Sequence, residues 1–299
     1  MLTIKNVNKT FDSNRVTNNV SFDVNNGNTL GIIGQNGSGK TTIFRMILGF
    51  LKQDSGEIHW SNPLSKNEFF NSVGYLPEER GLNLKRSVEE QIMFFGKLKG
   101  MSDSEMNESI KYWFEKFEVT VSKKQKIKSL SKGNQQKVQL ICSLIHKPTF
   151  LILDEPFSGL DPINSELLIN GILELKKKGT TIIFSSHNMN NVEKICDDLI
   201  MLKQGTVVLN GKIDTIRESF GRTNILIESS IASDTLKNLD GVLSIENFKQ
   251  NIRMIKVKEP IIGKQIFDIV SSDGYVPMFS QQPPSLEEIF KLKVGEIIE

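Results

Sequence analysis

The most constraining feature of this chain of 299 residues is a glycine-rich stretch, Gly34-Gln35-Asn36-Gly37-Ser38-Gly39-Lys40-Thr41. It fits the pattern G-x-x-x-x-G-K-[ST] at every fixed position. Glycines let successive backbone N–H groups turn toward an anion without clashes from a Cβ atom. The side chain of Lys40 is long enough to reach the β- and γ-phosphates of a nucleotide, and the Thr41 hydroxyl can ligate Mg²⁺. The stretch therefore predicts a loop that binds nucleotide phosphates.

The flanking residues support this interpretation. Thr29–Ile33 has the pattern of a short buried strand, and residues 42–48 have the pattern of a helix. The N-terminus of that helix would point its dipole and free N–H groups at the phosphates. The alternative is a plain glycine-rich turn between strand and helix, which the joint presence of strand, loop, Lys-Thr pair and helix disfavours.

Composition limits the class of protein. The chain is 38% hydrophobic and 24% charged, as is ordinary for a soluble globular protein, and its length suggests about two domains. A net charge of +2 does not favour a nucleic-acid partner. No run of apolar residues is long enough to span a membrane, and the alternating N-terminus is not expected to be a signal peptide. Cys142 and Cys196 lie in apolar helical contexts, so free thiols in the cytosol are expected.

Two adjacent carboxylates follow an apolar run. Phe150–Leu153 is expected to be a buried parallel strand, and Asp154 and Glu155 come directly after it, before Pro156. Ligands bind at this edge in open α/β sheets. The first carboxylate suits a contact to Mg²⁺, and the second suits orienting or deprotonating an attacking water. Two solvent-exposed acids in a loop are the alternative, which Pro156 disfavours because it ends the strand there.

Two further side chains are ambiguous from local pattern. Residues 180–187 are expected to form a second buried strand that ends in two small polar residues and His187. A lone histidine at a strand end is usually structural, but this one falls at the same sheet edge as Glu155. Phe11 lies in a predicted turn between N-terminal strands, where a core position is favoured over a plate on which a base stacks.

These pieces together resemble the ATP-binding subunit of an ABC transporter. Leu130-Ser131-Lys132-Gly133-Asn134-Gln135-Gln136 is similar to the family signature, LSGGQ in its commonest form. Ser158-Gly159-Leu160-Asp161 matches the loop after the acidic strand, and His187 matches the switch histidine. Phe11 falls where the family places its adenine-stacking aromatic, which reverses the preference for a core position. The resemblance covers residues 1 to about 215.

The resemblance implies an α/β fold, a P-loop NTPase of the ABC ATPase type with N-terminal antiparallel strands and a helical subdomain at about residues 82–140. It implies an ATPase whose cofactors are ATP and Mg²⁺. Asp154 would support the metal, Glu155 would activate water, and His187 would contact the γ-phosphate. Ser131 and Gly133 would close on the nucleotide of a second ATPase subunit. Phosphates and Mg²⁺ would be held by Gly34, Gln35, Asn36, Gly37, Ser38, Gly39, Lys40, Thr41 and Thr42.

The chain departs from the usual family pattern in two places. The signature carries Lys132 and Asn134 where Gly and Gln are commonest, while Ser131 and Gly133 are kept. The second departure is in Tyr75-Leu76-Pro77-Glu78-Glu79-Arg80-Gly81, where the family usually has a Gln after the proline. That segment resembles the one found in a bacterial export subgroup that includes sodium-export ATPases. Glu78 is accordingly expected to be a Mg²⁺ ligand in place of the Gln.

The resemblance also implies partners and a location. We expect integral membrane subunits, docked in a groove between residues 78–84 and the helical segment with Met93, Phe94 and Phe95. We also expect a second ATPase subunit, either a second copy or a relative, and no nucleic acid. The chain would be cytoplasmic and peripheral at the inner face of the cell membrane. The alternative is a soluble ABC ATPase that acts on ribosomes or DNA.

The pattern changes from about residue 222, which divides the chain into an ATPase domain at residues 1–215 and an accessory domain at residues 222–299. Strands are expected at residues 224–228, 241–248, 252–258 and 275–280, with helices at residues 232–239 and 263–271. The order β-α-β-β-α-β is typical of a small α+β, ferredoxin-like domain. Ser285 and Glu288 form a capping box for a last helix. The domain contains no catalytic constellation.

Overall fold

A computed structural model describes residues 1–61, 65–79, 81–272 and 274–295 of the chain. They form two compact units, Met1–Gly211 and Lys212–Glu299. The boundary lies a few residues before the expected end of the ATPase domain near residue 215. Each unit is described by itself.

The first unit begins with an antiparallel sheet. Its strands are β1 (Leu2–Phe11), β2 (Asn14–Val24) and β4 (Ser55–Trp60), in the order β2-β1-β4. Alternate residues of β2, namely Val20, Phe22 and Val24, are buried, as the two-residue period of a strand requires. They pack into a core that the antiparallel sheet shares with the central sheet. The expected N-terminal antiparallel strands are therefore confirmed.

The central sheet has six strands in the order β5-β6-β7-β3-β8-β9. The first five are parallel, and their short apolar sequences are mostly buried, as is typical of parallel strands that are covered on both faces. Their carboxyl ends therefore meet at one edge. The strands are β3 (Thr29–Ile33), β5 (Val73–Leu76), β6 (Phe150–Leu153), β7 (Thr181–Ser185), β8 (Asp198–Lys203) and β9 (Thr206–Lys212).

Seven α-helices and one short 3-10 helix, Ile127–Ser129, are described in the first unit, and several α-helices begin at caps that are visible in the sequence. Ser87 and Ser102 each form a capping box with the glutamate three residues later. Asp161 caps a helix whose first residue is Pro162. The helices are α1 (Lys40–Ile47), α2 (Lys66–Ser72), α3 (Val88–Leu98), α4 (Asp103–Lys116), α5 (Lys132–Leu144), α6 (Pro162–Lys177) and α7 (Met189–Ile195). Among the described residues, no helix combines the length and the apolar character that crossing a bilayer requires.

The second unit is built on a four-stranded antiparallel sheet in the order β11-β12-β10-β13. The chain order β-α-β-β-α-β and this strand order are those of a ferredoxin-like domain. Ile225, Ile227, Ile255 and Ile266 form its apolar core. The elements are α8 (Ile213–Ser219), β10 (Asn224–Glu228), α9 (Ser233–Lys237), β11 (Val242–Lys249), β12 (Ile252–Val257), α10 (Ile262–Ser271), β13 (Met278–Gln282) and α11 (Leu286–Val294).

The last strand of this unit begins at Met278, three residues later than expected. Residues 275–280 were expected to form it, but pairing begins with Met278 opposite Glu228. Pro277 has no backbone N–H to donate to a neighbouring strand, and Tyr275 is 90% exposed. The last helix begins as expected, with Ser285 and Glu288 forming its capping box. Glu288 also accepts a hydrogen bond from Asn224 at 2.8 Å and pairs with Lys256 at 3.0 Å, which ties this helix to the sheet.

Candidate nucleotide site

The glycine-rich loop connects β3 to α1, as the sequence predicts. Gly37 and Gly39 have φ angles of 80° and 104°, in the left-handed region that favours glycine. Gly39 is the N-cap of α1, and a Cβ atom on it would lie 2.8 Å from the carbonyl oxygen of Val16. This glycine is therefore required both by its conformation and by the approach of β2.

The ammonium group of Lys40 lies inside the glycine-rich loop. Lys40 is buried, and its Nζ donates to the carbonyl oxygens of Gly34 at 2.9 Å and Gln35 at 3.2 Å. Gln35 and Asn36 form the exposed lip, whereas Ser38 is buried. Thr42 follows in the first turn of α1 and is half-buried. The arrangement places one positive charge and the start of a helix at the same point, which favours an anion.

Asp154 is held by hydroxyl groups from two other elements. Its Oδ2 accepts a hydrogen bond from the Thr41 hydroxyl at 2.7 Å, and its Oδ1 accepts one from the Ser185 hydroxyl at 2.7 Å. The carboxylate is buried at the carboxyl end of β6. The parallel sheet therefore brings Thr41 and Asp154 together, as the sequence suggested. These two groups are hard oxygen donors of the kind that Mg²⁺ prefers.

Glu155 lies beside Asp154 in an unusual backbone conformation. Its φ angle is 48°, and its side chain is buried. Oε2 lies 2.9 Å from Nδ1 of His187, whereas Oε1 is buried and has no hydrogen-bond partner among the described residues. Burial raises the pKa of Glu155, and the nearby charges of His187 and Lys40 offset part of that rise. A carboxylate with a raised pKa and one uncommitted oxygen is suited to accepting a proton.

His187 is brought to Glu155 by the adjacent strand. Its side chain is 71% exposed, so one side of the ring faces solvent while Nδ1 contacts the buried carboxylate. The prediction that His187 and Glu155 share one edge of the sheet is therefore confirmed.

The signature residues lie on a different element. Ser131 is the N-cap of α5, and its hydroxyl accepts a hydrogen bond from the N–H of Asn134 at 3.3 Å. Gly133 lies in the first turn, and a Cβ atom added to it would lie 3.7 Å from Nδ2 of Asn164. Ser131 is exposed and Gly133 is half-buried. A helix of 13 residues thus presents its N-terminus at the surface of the unit.

Phe11 is the last residue of β1, where it pairs with Asn14 across the turn. Its side chain is 44% exposed, so a core position, which local pattern alone favoured, is wrong. Nζ of Lys9 lies 5.5 Å from the centre of the ring. The ring is therefore a surface plate of the kind on which a base stacks.

Glu78 is exposed and follows β5. The side-chain amide of Gln139 donates to the carbonyl oxygens of Pro77 and Glu79, both at 3.2 Å, so the residues on each side of Glu78 are tied to α5. Arg80, which belongs to the segment that resembles the export subgroup, lies outside the described residues. Within the described part of the chain, no group of three or more His, Cys, Asp or Glu side chains is placed to hold a metal.

Sequence reasoning assigned no role to two residues that hold this site together. Ser185 was seen only as one of two small polar residues at a strand end, and Gln139 was not singled out. The signal for Ser185 is its place at the end of a strand parallel to β6. Gln139 is a buried amide in an otherwise apolar stretch of α5.

Comparisons with known proteins agree with this fold and site. A family model described as ABC transporter matches residues 17–158, and one described as ATP-binding protein DrrA1-3-like, C-terminal domain, matches residues 211–294. An uncharacterised ABC transporter ATP-binding protein of Alkalihalophilus pseudofirmus is 47% identical over 264 residues, which are 88% of this chain and 98% of the relative.

Two more distant relatives have names that state a role. The linearmycin resistance ATP-binding protein of Bacillus subtilis is 30% identical over 309 residues, covering 100% of this chain and 99% of the relative. A Nod factor export ATP-binding protein of a Rhizobium species is 28% identical over 305 residues, covering 98% of this chain and 96% of the relative. Among solved structures, an ATP-binding subunit of an ABC transporter aligns with a TM-score of 0.69 at 29% identity, over 74% of this chain and 93% of that one.

The fold and the loop define a P-loop NTPase with the architecture of an ABC ATPase. This chain belongs to the ABC transporter ATP-binding proteins, a family of ATPases.

Proposed function

We propose that this protein is the ATP-hydrolysing subunit of an ABC exporter and powers transport through separate membrane subunits. The names of the linearmycin resistance and Nod factor export relatives support export, and the DrrA-like model supports the same class of subunit. The observation that supports coupling to a membrane partner is an apolar groove between the segment after β5 and the helices α3 and α5.

The loop residues fit a nucleotide. Gly39 has no room for a side chain, Lys40 supplies a buried ammonium, and Oε1 of Glu155 is an uncommitted acceptor. In this proposal residues 34–42 hold the phosphates, and Phe11 stacks on the base. Thr41 and Asp154, with Glu78 as a further ligand, would hold Mg²⁺, which neutralises charge on the transferred phosphoryl group.

The proposed chemistry belongs to Glu155 and His187. Glu155 orients an attacking water and takes its proton on the free carboxylate oxygen. His187 keeps the other oxygen engaged and contacts the γ-phosphate from the exposed side of its ring. Ser131 and Gly133 serve a second ATPase subunit, because the N-terminus of α5 and its small residues suit an anion that arrives from outside the unit.

A groove of about 260 Å³ lies between the segment after β5 and the helices α3 and α5. It is mostly apolar and aromatic, and Lys99, Gln139 and His146 are its main polar side chains. Its aromatic and apolar lining includes Phe50, Phe70, Tyr75, Pro77, Leu82 and Phe95. Phe94, beside it on α3, is 40% exposed and lies 4.1 Å from the guanidinium of Arg86.

We assign this groove to a short cytoplasmic helix of the membrane subunit. Pro77 and Gly81, which stand before and after Glu78, both line the groove. An occupant would therefore contact the segment that contains the proposed metal ligand. Exposed aromatic side chains around an apolar depression are typical of a partner site. Attachment to the inner face of the cell membrane would then come through protein contact.

The second candidate is a soluble ABC ATPase that acts on ribosomes or DNA. Ribosome-acting members usually carry two ATPase domains per chain, and this sequence has one P-loop motif. DNA-repair members have a long coiled coil between the P-loop and the signature, and no heptad run of that length lies between Lys40 and Leu130.

The experiment is purification of a tagged chain from membranes in mild detergent, followed by identification of its partners. We expect multi-spanning membrane proteins, and we expect Phe95→Glu to abolish their recovery because a charge in the apolar groove opposes docking. ATP binding should be retained by that variant.

The matched control is Lys97→Glu, which also places a negative charge on α3. Lys97 is on the same helix but two positions after Phe95 and so on another face, its side chain is 63% exposed, and it is outside the groove lining, so its variant should keep the partners. Consistent recovery of ribosomes or DNA without any membrane protein would overturn the exporter and favour the second candidate.

A further inference from the structure

The hydroxyl group of Ser185 lies between the two carboxylates of the site. Ser185 is the last residue of β7 and is fully buried. We propose that Ser185 is a positioning residue, which fixes the peptide between Asp154 and Glu155 and so aims the Glu155 carboxylate. The inference rests on the proposed role of Glu155 in ATP hydrolysis.

One hydroxyl makes both contacts. The Ser185 O–H donates to Oδ1 of Asp154 at 2.7 Å, and the same oxygen accepts the backbone N–H of Glu155 at 2.8 Å. A hydroxyl can donate one hydrogen bond and accept others, so a single small side chain satisfies both groups. Both bonds span adjacent parallel strands, where Leu153 is in register with Phe184.

The backbone of Glu155 needs such support. Its φ angle of 48° is uncommon for a residue other than glycine, and such conformations persist where the surroundings enforce them. The Ser185 hydroxyl holds the N–H, and the N–H of Ser158 donates to the carbonyl oxygen of Glu155 at 3.1 Å. The backbone of Glu155 is therefore held by hydrogen bonds on both sides of its Cα atom.

The orientation of the peptide decides where the carboxylate points. Rotation about φ of Glu155 would move Oε2 away from His187, which it contacts at 2.9 Å, and would move Oε1 with it. The same rotation leaves the glycine-rich loop untouched, because Lys40 and Thr41 belong to another element. Asp154 would keep its hydrogen bond from Thr41 when Ser185 is lost, so loss of Ser185 should impair turnover more than nucleotide binding.

Thr181 offers a matched control for a merely structural role. It is the first residue of the same strand, it is buried, and its hydroxyl accepts the backbone N–H of Gly27 at 2.8 Å. It lies at the opposite edge of the sheet from the nucleotide site. Removing either hydroxyl leaves one backbone N–H without its acceptor, so the two variants share that structural defect, and Ser185→Ala in addition takes one of its two hydroxyl donors from Asp154.

The experiment compares the wild-type chain with Ser185→Ala, Ser185→Thr and Thr181→Val. We measure kcat and KM for ATP with Mg²⁺, the Kd of a fluorescent ATP analogue, and thermal unfolding. For Ser185→Ala we expect kcat to fall about tenfold to a hundredfold, as for other groups that orient a reacting side chain. KM and Kd should stay within about threefold.

Ser185→Thr, which keeps the hydroxyl, should recover most of the lost kcat, and Thr181→Val should keep wild-type kcat. A kcat of Ser185→Ala within about twofold of wild type would refute the inference, and so would equal losses in Ser185→Ala and Thr181→Val. Should Ser185→Ala not fold, Ser185→Cys takes its place, because it keeps the volume and has only a weak S–H donor. Absence of ATP hydrolysis by the wild-type chain would instead refute the proposed function.

Discussion

At the scale of single residues, the environment of Glu155 decides what the site can do. The carboxylate is buried, its backbone is in the left-handed region, and His187 engages only one of its oxygens. Asp154, its neighbour in sequence, instead has both oxygens bound by hydroxyl groups. Of the two adjacent acids, Asp154 thus accepts a hydrogen bond at each oxygen, whereas Glu155 has one oxygen available for water.

The first residue-scale prediction is that Glu155→Gln binds ATP with near-normal affinity but hydrolyses it about 100-fold more slowly or worse, because an amide cannot accept the proton. The variant should accumulate as an ATP-bound dimer, which light scattering with ATP and Mg²⁺ detects. Glu166→Gln is the control, since Glu166 is an exposed acid on α6 that pairs with Lys194 at 3.6 Å. Turnover of Glu155→Gln at the wild-type rate would exclude Glu155 as the base.

The pH dependence of kcat tests the same residue. A base works in its ionised form, so kcat should rise as pH increases through the pKa of Glu155. Burial raises that pKa, so the acid limb of the pH–kcat profile should lie at a higher pH than the ordinary pKa range of a glutamate. His187 lowers the pKa of Glu155, so His187→Gln should move the limb to still higher pH. A limb in His187→Gln at the same or a lower pH would contradict this assignment.

At the scale of elements, α1 is flanked by Gly39 and Gly49, both with positive φ angles, but only one of these glycines is crowded. Gly39 at the N-terminus has the Val16 carbonyl oxygen 2.8 Å from where a Cβ atom would be, whereas Gly49 at the C-terminus has no atom within 4 Å of that point. Comparing substitutions at the two glycines therefore distinguishes the effect of a strained backbone from the effect of a displaced loop.

We predict that Gly39→Ala weakens ATP binding more than about tenfold, equivalent to roughly 1.4 kcal/mol, because the loop must move away from β2. Gly49→Ala should keep the affinity, although both variants lose stability from a side chain at positive φ. Titration with a fluorescent ATP analogue, together with thermal unfolding, distinguishes the two effects. Equal affinities would show that the loop tolerates the extra methyl group.

At the scale of the whole molecule, each of the two units has an apolar core of its own in the described part of the chain. One lies between the two sheets of the first unit, and the other packs against the four-stranded sheet of the second. Every residue assigned to the nucleotide site lies within Met1–Gly211. The added domain is therefore proposed to tune assembly or coupling, and binding of ATP should not need it.

We accordingly predict that a chain of residues 1–212, which keeps β9 whole, folds and binds ATP with a Kd within about threefold of the full chain. Circular dichroism and titration with a nucleotide analogue check both parts. Full-length Lys40→Ala is the control for lost binding, since it removes the buried ammonium of the loop. A folded, soluble truncation that binds no nucleotide would contradict the division of roles.

The sequence alone determined the features that depend on neighbouring residues. The glycine pattern, the capping box of Ser285, and the apolar runs of β3, β6 and β7 are local, so they were predicted with their positions. The order β-α-β-β-α-β of the second unit followed from the same periodicities. β13 began at Met278 rather than at residue 275, because Pro277 cannot donate to the ladder.

Only the tertiary structure decided which side chains meet. The site depends on β7 lying between β3 and β6, three strands that are far apart in the chain and whose order no local pattern encodes. That order places the Ser185 hydroxyl between Asp154 and Glu155 and leaves one Glu155 oxygen without a partner in the described structure. The exposure of Phe11 was decided in the same way. Periodicity states which face of an element is buried, whereas a contact between strand ends requires the pairing of the whole sheet.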